Sequence, residues 1–264
     1  IALWLEVLVN IKKKLKVSLW KTPFFFFKSL VIFIKLTKSG ALVLILNSQF
    51  ETNKFKSIIN GINFLIYRGK KEEIGIKLLN CLTKLGPGYI KLGQALSTRP
   101  DIIGNEISKH LKKLQDDIDP FCGLLAKSII ERESKLLITE SFTFFNLEPI
   151  ASASVAQVHK AILKNGEKVA VKILRPNIEK KLFSDFQFFY WASKWMEFFI
   201  PRIKRLKLSQ TVEVFSKTSL NELDLTMEAS AGDELAENFK NYSRFRVPKI
   251  YWELTTKKVL VLEY

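Results

Sequence analysis

P-I-A-S-A-S-V-A-Q-V-H at residues 149–159, followed by V-A-V-K at 169–172, is the stretch whose reading decides the fold. Asn165 and Gly166 lie between the two, and this pair supplies the positive φ angles that a two-residue type I′ turn needs between twisted strands. Residues 154–163 and 168–174 are therefore predicted to pair antiparallel. On the second strand Val169, Val171 and Ile173 share one face, while Ala170 and Lys172 share the other, because side chains alternate with period two. Lys172 thus emerges beside a small residue.

That placement suits a lysine reaching phosphate from under a flat adenine ring. The loop ahead of it, Ala151, Ser152, Ala153, Ser154, Val155 and Ala156, covers such a site with alanines and serines where a nucleotide-binding kinase hairpin has glycines. Glycine lets backbone N–H groups approach phosphate at positive φ, whereas each alanine adds a Cβ and restricts the path. Nucleotide handling is therefore expected to differ from that of an ordinary kinase.

Two further clusters stand apart from the hairpin. L-G-P-G-Y-I-K-L-G-Q-A-L-S-T-R-P-D spans 85–101; its Gly86-Pro87-Gly88 breaker and apolar spacing predict a short helix before Pro100, with Lys91 and Gln94 on one face. N-E-L-D-L-T-M-E-A-S-A spans 221–231, inside a helical pattern predicted from about 210 to 239. On one continuous helix Asp224 and Glu228 share a face, with Glu222 about 200° around from Asp224.

These motifs, in this order, resemble the amino-terminal part of UbiB-family proteins, the atypical kinase-like group associated with ubiquinone biosynthesis, with bacterial members nearer than plastid ones. K-L-G-Q resembles the family's K-x-G-Q motif, with Lys91 and Gln94 as its lysine and glutamine. A-S-A-S-V-A-Q-V-H resembles its alanine-rich loop, Lys172 its nucleotide-binding lysine, and E-L-D its E-x-D motif at Glu222 and Asp224. Glu228 falls where the helix-C glutamate that pairs with the lysine is expected. The resemblance runs from about residue 35 to 264.

It implies an α+β fold: a helical amino-terminal extension followed by the N-lobe of a protein-kinase-like fold, with a five-stranded antiparallel sheet plus helices. It also implies ATP or ADP with Mg2+ as cofactor, the extension folded over the active site, and an ATP-dependent role in polyprenyl-phenol processing by membrane-bound quinone enzymes. After predicted strands at 247–252 and 258–262, joined by a turn at Thr255-Thr256, the sequence reaches Glu263-Tyr264, where a kinase hinge begins. No H-x-D loop and no D-F-G segment follow. With Ile1 at the other end, the expectation is a fragment without the C-lobe, holding no catalytic residue and no metal site of its own, with the Mg2+ ligands in the absent lobe.

Composition bounds the partners. There are 42 Lys and Arg against 26 Asp and Glu, a net charge of +16, and residues 1–70 hold 12 of the cations against Glu6 and Glu51. The apolar pieces 24–27, 30–34 and 41–46 are interrupted by Lys28, Lys35 and Lys38. No window supplies the roughly 20 apolar residues of a spanning helix. A basic amphipathic segment lying on anionic lipid fits better, and nucleic acid, the competing partner of a basic chain, is set aside because aliphatic and phenylalanine side chains interleave the lysines. The order of the first residues, apolar before basic, does not read as a secretory signal. Cys81 and Cys122 have no metal or redox spacing and read as ordinary helical residues in a reducing compartment. His159 lies in the loop motif, and His110 has no evident partner. The aromatic run at 183–200 is expected to pack in a core, with contact to lipid or a partner as the alternative.

The expected organisation is a basic and apolar segment at 1–28, the helical extension at 29–138 and the lobe at 139–264. The expected location is the cytoplasmic face of a bacterial inner membrane, with nucleotide, lipid surface and quinone-biosynthesis proteins as partners. The alternative is a non-catalytic nucleotide- or membrane-binding regulatory module.

Overall fold

The computed structural model of the chain describes residues 22–38, 71–114, 118–242 and 244–264. The helices in chain order are α1 (Thr22–Lys38), α2 (Lys71–Leu85), α3 (Pro87–Ser97), α4 (Pro100–Ile103), α5 (Asn105–Leu111), α6 (Gly123–Ser134) and α7 (Ile138–Ser141), then α8 (Ile178–Phe199), α9 (Pro201–Lys204), α10 (Leu208–Asn221) and α11 (Leu225–Phe239). The strands are β1 (Phe142–Phe145), β2 (Ala151–Ser152), β3 (Ala156–Leu163), β4 (Lys168–Leu174) and β5 (Val259–Glu263). Two compact units result: the first takes described residues from Ile1–Gln115 and Lys181–Val214, the second from Asp116–Lys180 and Phe215–Tyr264. The predicted boundary at 138/139 lies inside α7, within the second unit.

The first unit is helical. Gly86, at φ 122°, ends one helix and Pro87 opens the next, since a proline at the first helical position loses no needed N–H. The aromatic run packs here: Phe186, Phe188, Tyr190 and Trp191 are buried, and the Phe25 ring of α1 meets Phe188 edge-on at 5.8 Å. The end of α8 behaves differently, with Phe198 and Phe199 exposed. Asp185 ties three elements together. It accepts from Lys28 Nζ of α1 at 3.0 Å and from Gly88 N of α3 at 3.2 Å.

The second unit carries a five-stranded antiparallel sheet in the order β1-β3-β4-β5, with β2 also on β3. Val169, Val171 and Ile173 pack with Ala161, Leu163, Val259 and Val261 against Ala126, Ile129 and Ile130 of α6. Period-two alternation alone accounts for this face.

Several local expectations are corrected. The hairpin forms, but its turn is not type I′: Gly166 is at φ 85° while Asn165 is not among the residues at positive φ. Gly166 N donates to Leu163 O at 3.0 Å, Leu163 N donates to Glu167 O at 2.9 Å, and the Asn165 side chain accepts from Glu167 N at 3.1 Å. This is a three-residue loop closed by a left-handed glycine, with Asn165 used for its side-chain acceptor. The helix predicted over 210–239 is two helices broken at Glu222, Leu223 and Asp224, because the Asp224 side chain caps α11 by accepting from Thr226 N at 3.2 Å. Residues 247–252 form no continuous strand; Ile250 makes one isolated bridge to Leu262, and β2 is the fifth strand instead. Cys122 precedes α6 as its N-cap rather than lying in a helix, while His159 lies in β3, inside the strand predicted over 154–163. The apolar piece at 41–46 lies outside the described residues.

The start of α6 has no room for a side chain. A Cβ at Gly123 would stand 2.1 Å from the Leu147 carbonyl oxygen, a backbone atom that cannot swing away. Gly123→Ala is expected to lower the unfolding free energy by about 1–3 kcal/mol, read as a lower urea midpoint at unchanged slope; an unchanged midpoint would contradict this packing.

Candidate functional site

Lys172 lies on β4 opposite Val158 of β3 and Leu260 of β5, on the face away from the aliphatic core. Glu228 lies in the first turn of α11, where the helix dipole favours a carboxylate. The structure brings them together: Lys172 Nζ donates to both Glu228 oxygens, at 2.8 and 2.7 Å. A Lys–Glu pair between a sheet strand and a following helix is the arrangement that orients a lysine toward phosphate in kinase folds.

A cavity of about 310 Å³ opens beside this pair, lined by Val155, Lys172, Thr218, Asn221, Glu222, Asp224, Met227 and Glu228. The break between α10 and α11 brings Glu222 and Asp224 to its wall, which a continuous helix would have turned apart. Asp224 also stands 3.7 Å from Lys257 Nζ. The wall therefore carries three carboxylates and one ammonium. Among the described residues no group of three or more His, Cys, Asp or Glu is arranged to hold a metal ion. Lys172 is the one cation among these lining residues.

The loop Ala151 to Ala156 is fixed by residues that sequence reasoning missed. Ala151 and Ser152 form β2 on Val158 and Gln157, and Ala153 N donates to Ala156 O at 2.8 Å. Arg175, just past β4, donates through Nε to Ala153 O at 2.9 Å and through Nη2 to Ser152 Oγ at 2.7 Å. No periodicity marks that arginine. Gln157 and His159 were more legible, being polar at i and i+2 on an apolar strand. Both are fully buried. Gln157 accepts from Phe121 N at 3.0 Å and donates to Phe121 O at 3.2 Å, which pins the segment entering α6 to the sheet.

Lys91 and Gln94 lie on α3 in the first unit. Gln94 Nε2 donates to Leu114 O at 2.8 Å, a structural use within that unit. The start of their helix is held by Asp185, whose carboxyl burial pushes upward in pKa while Lys28 and the Gly88 N–H oppose the shift. Lys172, Glu228, Glu222, Asp224 and the loop belong to the second unit.

Residues 113–264 match the ABC1 atypical kinase-like domain. Among curated proteins, the chain is 41% identical over 200 residues to the "Probable protein kinase UbiB" of Cellvibrio japonicus, covering 76% of this chain and 36% of that protein. The Shewanella baltica protein of the same name is 39% identical over 210 residues, 79% of this chain and 38% of the other. The chain thus spans little more than a third of the curated relatives it matches. A solved structure titled "The complex structure of Rv3197-erythromycin from Mycobacterium tuberculosis" is 28% identical, with a TM-score of 0.45 over 79% of this chain and 51% of that one.

The hydrogen bonds of the His159 ring beside the loop select one neutral tautomer. Its Nε2 lies 2.7 Å from the Gln157 amide nitrogen and its Nδ1 2.8 Å from Asn146 O; the amide donates, so Nε2 accepts and Nδ1 carries the proton. A proton added at Nε2 would set two donors against each other. Burial holds this imidazole below its ordinary pKa, against the pull of the Asn146 carbonyl. The unfolded chain therefore binds the proton more readily, and stability is expected to be full above about pH 6.5 and to be lost as pH falls toward the folded-state value. Urea unfolding between pH 7 and pH 5 checks this: His159→Gln should show a shallower decline than the unsubstituted protein, and parallel declines would refute the assignment.

Proposed function

The chain belongs to the ABC1 atypical kinase-like family, and from that premise we propose that it binds an adenine nucleotide, ATP or ADP, in the cavity at Lys172 as part of a UbiB-type atypical kinase or ATPase. The observation that carries this reading is the Lys172–Glu228 pair, held at 2.7 Å on the cavity wall. Lys172 takes a phosphate oxygen and Glu228 holds its ammonium in place. The loop Ala151 to Ala156 covers the phosphates, and Mg2+ accompanies the nucleotide. Glu222 and Asp224, with Lys91 and Gln94 of the K-x-G-Q motif, are proposed as regulatory groups of the same activity.

The name shared by the curated relatives implies ubiquinone biosynthesis, and we extend that pathway to this chain: nucleotide turnover supports polyprenyl-phenol processing at a membrane surface. The exposed Phe24, Phe26, Phe27 and Phe33 of α1, set among lysines, support a peripheral lipid contact at the cytoplasmic face. Among the described residues no helix is long and apolar enough to cross a membrane.

Removing the ammonium tests the site. Lys172→Met should weaken ATP binding by about tenfold or more, the loss expected for one charged hydrogen-bond donor, measured by titration calorimetry at unchanged melting temperature. Full binding by that variant would sink the assignment of the site.

A further inference from the structure

Arg175 spends its donors on the loop before β3. Beyond its bonds to Ala153 O and Ser152 Oγ, its Nη2 donates to Asp119 O at 2.8 Å, and its own backbone N–H donates to Val155 O at 2.8 Å. The guanidinium stands 5.8 Å from the centre of the Phe121 ring, the residue that Gln157 fastens from the other side. The carbonyls of Ala153 and Val155 are therefore both turned toward Arg175.

In a trans peptide the N–H points opposite to the C=O of the same plane. With the Ala153 carbonyl fixed on the guanidinium, the Ser154 N–H is directed away from it. Ser154 is 5% exposed, and among the described residues no backbone carbonyl takes its N–H. A peptide N–H without a backbone acceptor is uncommon in a residue this little exposed. Its neighbour Val155 lines the cavity with Lys172.

We propose that Arg175 is a positioning residue for nucleotide phosphate: it fixes the 153–154 peptide so that the Ser154 N–H donates to a phosphate oxygen beside Lys172. A glycine-rich loop finds such an orientation through backbone freedom; this alanine-rich loop has the orientation imposed by a side chain. The role needs the planar fork of arginine, since one group must hold Ala153 O, Ser152 Oγ and Asp119 O together, which a lysine point charge does not do. The inference rests on the nucleotide reading of the cavity and deepens it.

The test compares ATP with adenosine, which lacks phosphate, by titration calorimetry on the unsubstituted protein, Arg175→Ala and Arg175→Lys. Loss of one charge-oriented donor should lower ATP affinity about tenfold in both variants while adenosine affinity stays level. Equal loss for ATP and adenosine would show a merely structural role and overturn the proposal. Undiminished ATP binding by the variants, with Lys172→Met still defective, would overturn it while leaving the nucleotide site standing. No ATP binding by the unsubstituted protein would remove both. Should Arg175→Ala fail to melt cooperatively, Arg175→Lys, which keeps the charge and the aliphatic stem, gives the same reading.

Discussion

Burying Val169, Val171 and Ile173 on one side of β4 obliges Lys172 to emerge on the other, and the rest of the site is arranged around that obligation. A register slip of one residue would bury the ammonium and expose three aliphatic side chains. The packing of α6 on the sheet fixes the face, the face fixes the lysine, and the lysine selects the carboxylate of α11. Core and site are thus set by a single alternation.

The hairpin and the face assignment of β4 were legible because strand period is a property of neighbouring residues, whereas the grouping of Lys172 with Glu228, 56 residues apart, came only from the family resemblance of the motifs. The turn type was not legible. Asn165 has two uses, a left-handed backbone or a side-chain acceptor, and the same dipeptide serves either. The acidic segment was misread for a related reason: helical spacing was carried through 222–224, and the local capping signal, Asp224 accepting from Thr226 N, was not weighed against it. Arg175 was invisible to pattern altogether, since its partners Asp119, Ser152 and Ala153 are joined to it by tertiary structure and not by spacing.

The charge on the cavity wall is a second consequence of that break. Three carboxylates beside one ammonium give a wall on which a polyphosphate alone meets net repulsion at short range. A nucleotide carrying its own divalent cation meets less. The capping of α11 therefore has an electrostatic effect beyond the helix: it places Asp224 on the wall and offsets part of its charge with Lys257 at 3.7 Å.

The tie between Lys28 and Asp185 spans 157 residues of sequence, and it shapes how the chain is made. As α1 leaves the ribosome its lysine has no partner until α8 is synthesised, a wait on the order of ten seconds at translation rates of roughly 5–20 residues per second. Through that interval Phe25, Tyr89 and the K-x-G-Q helix lack the aromatic surface of α8. The helical unit is closed late, by a segment encoded after β1 to β4, so its apolar helices stay uncovered through the synthesis of most of the sheet.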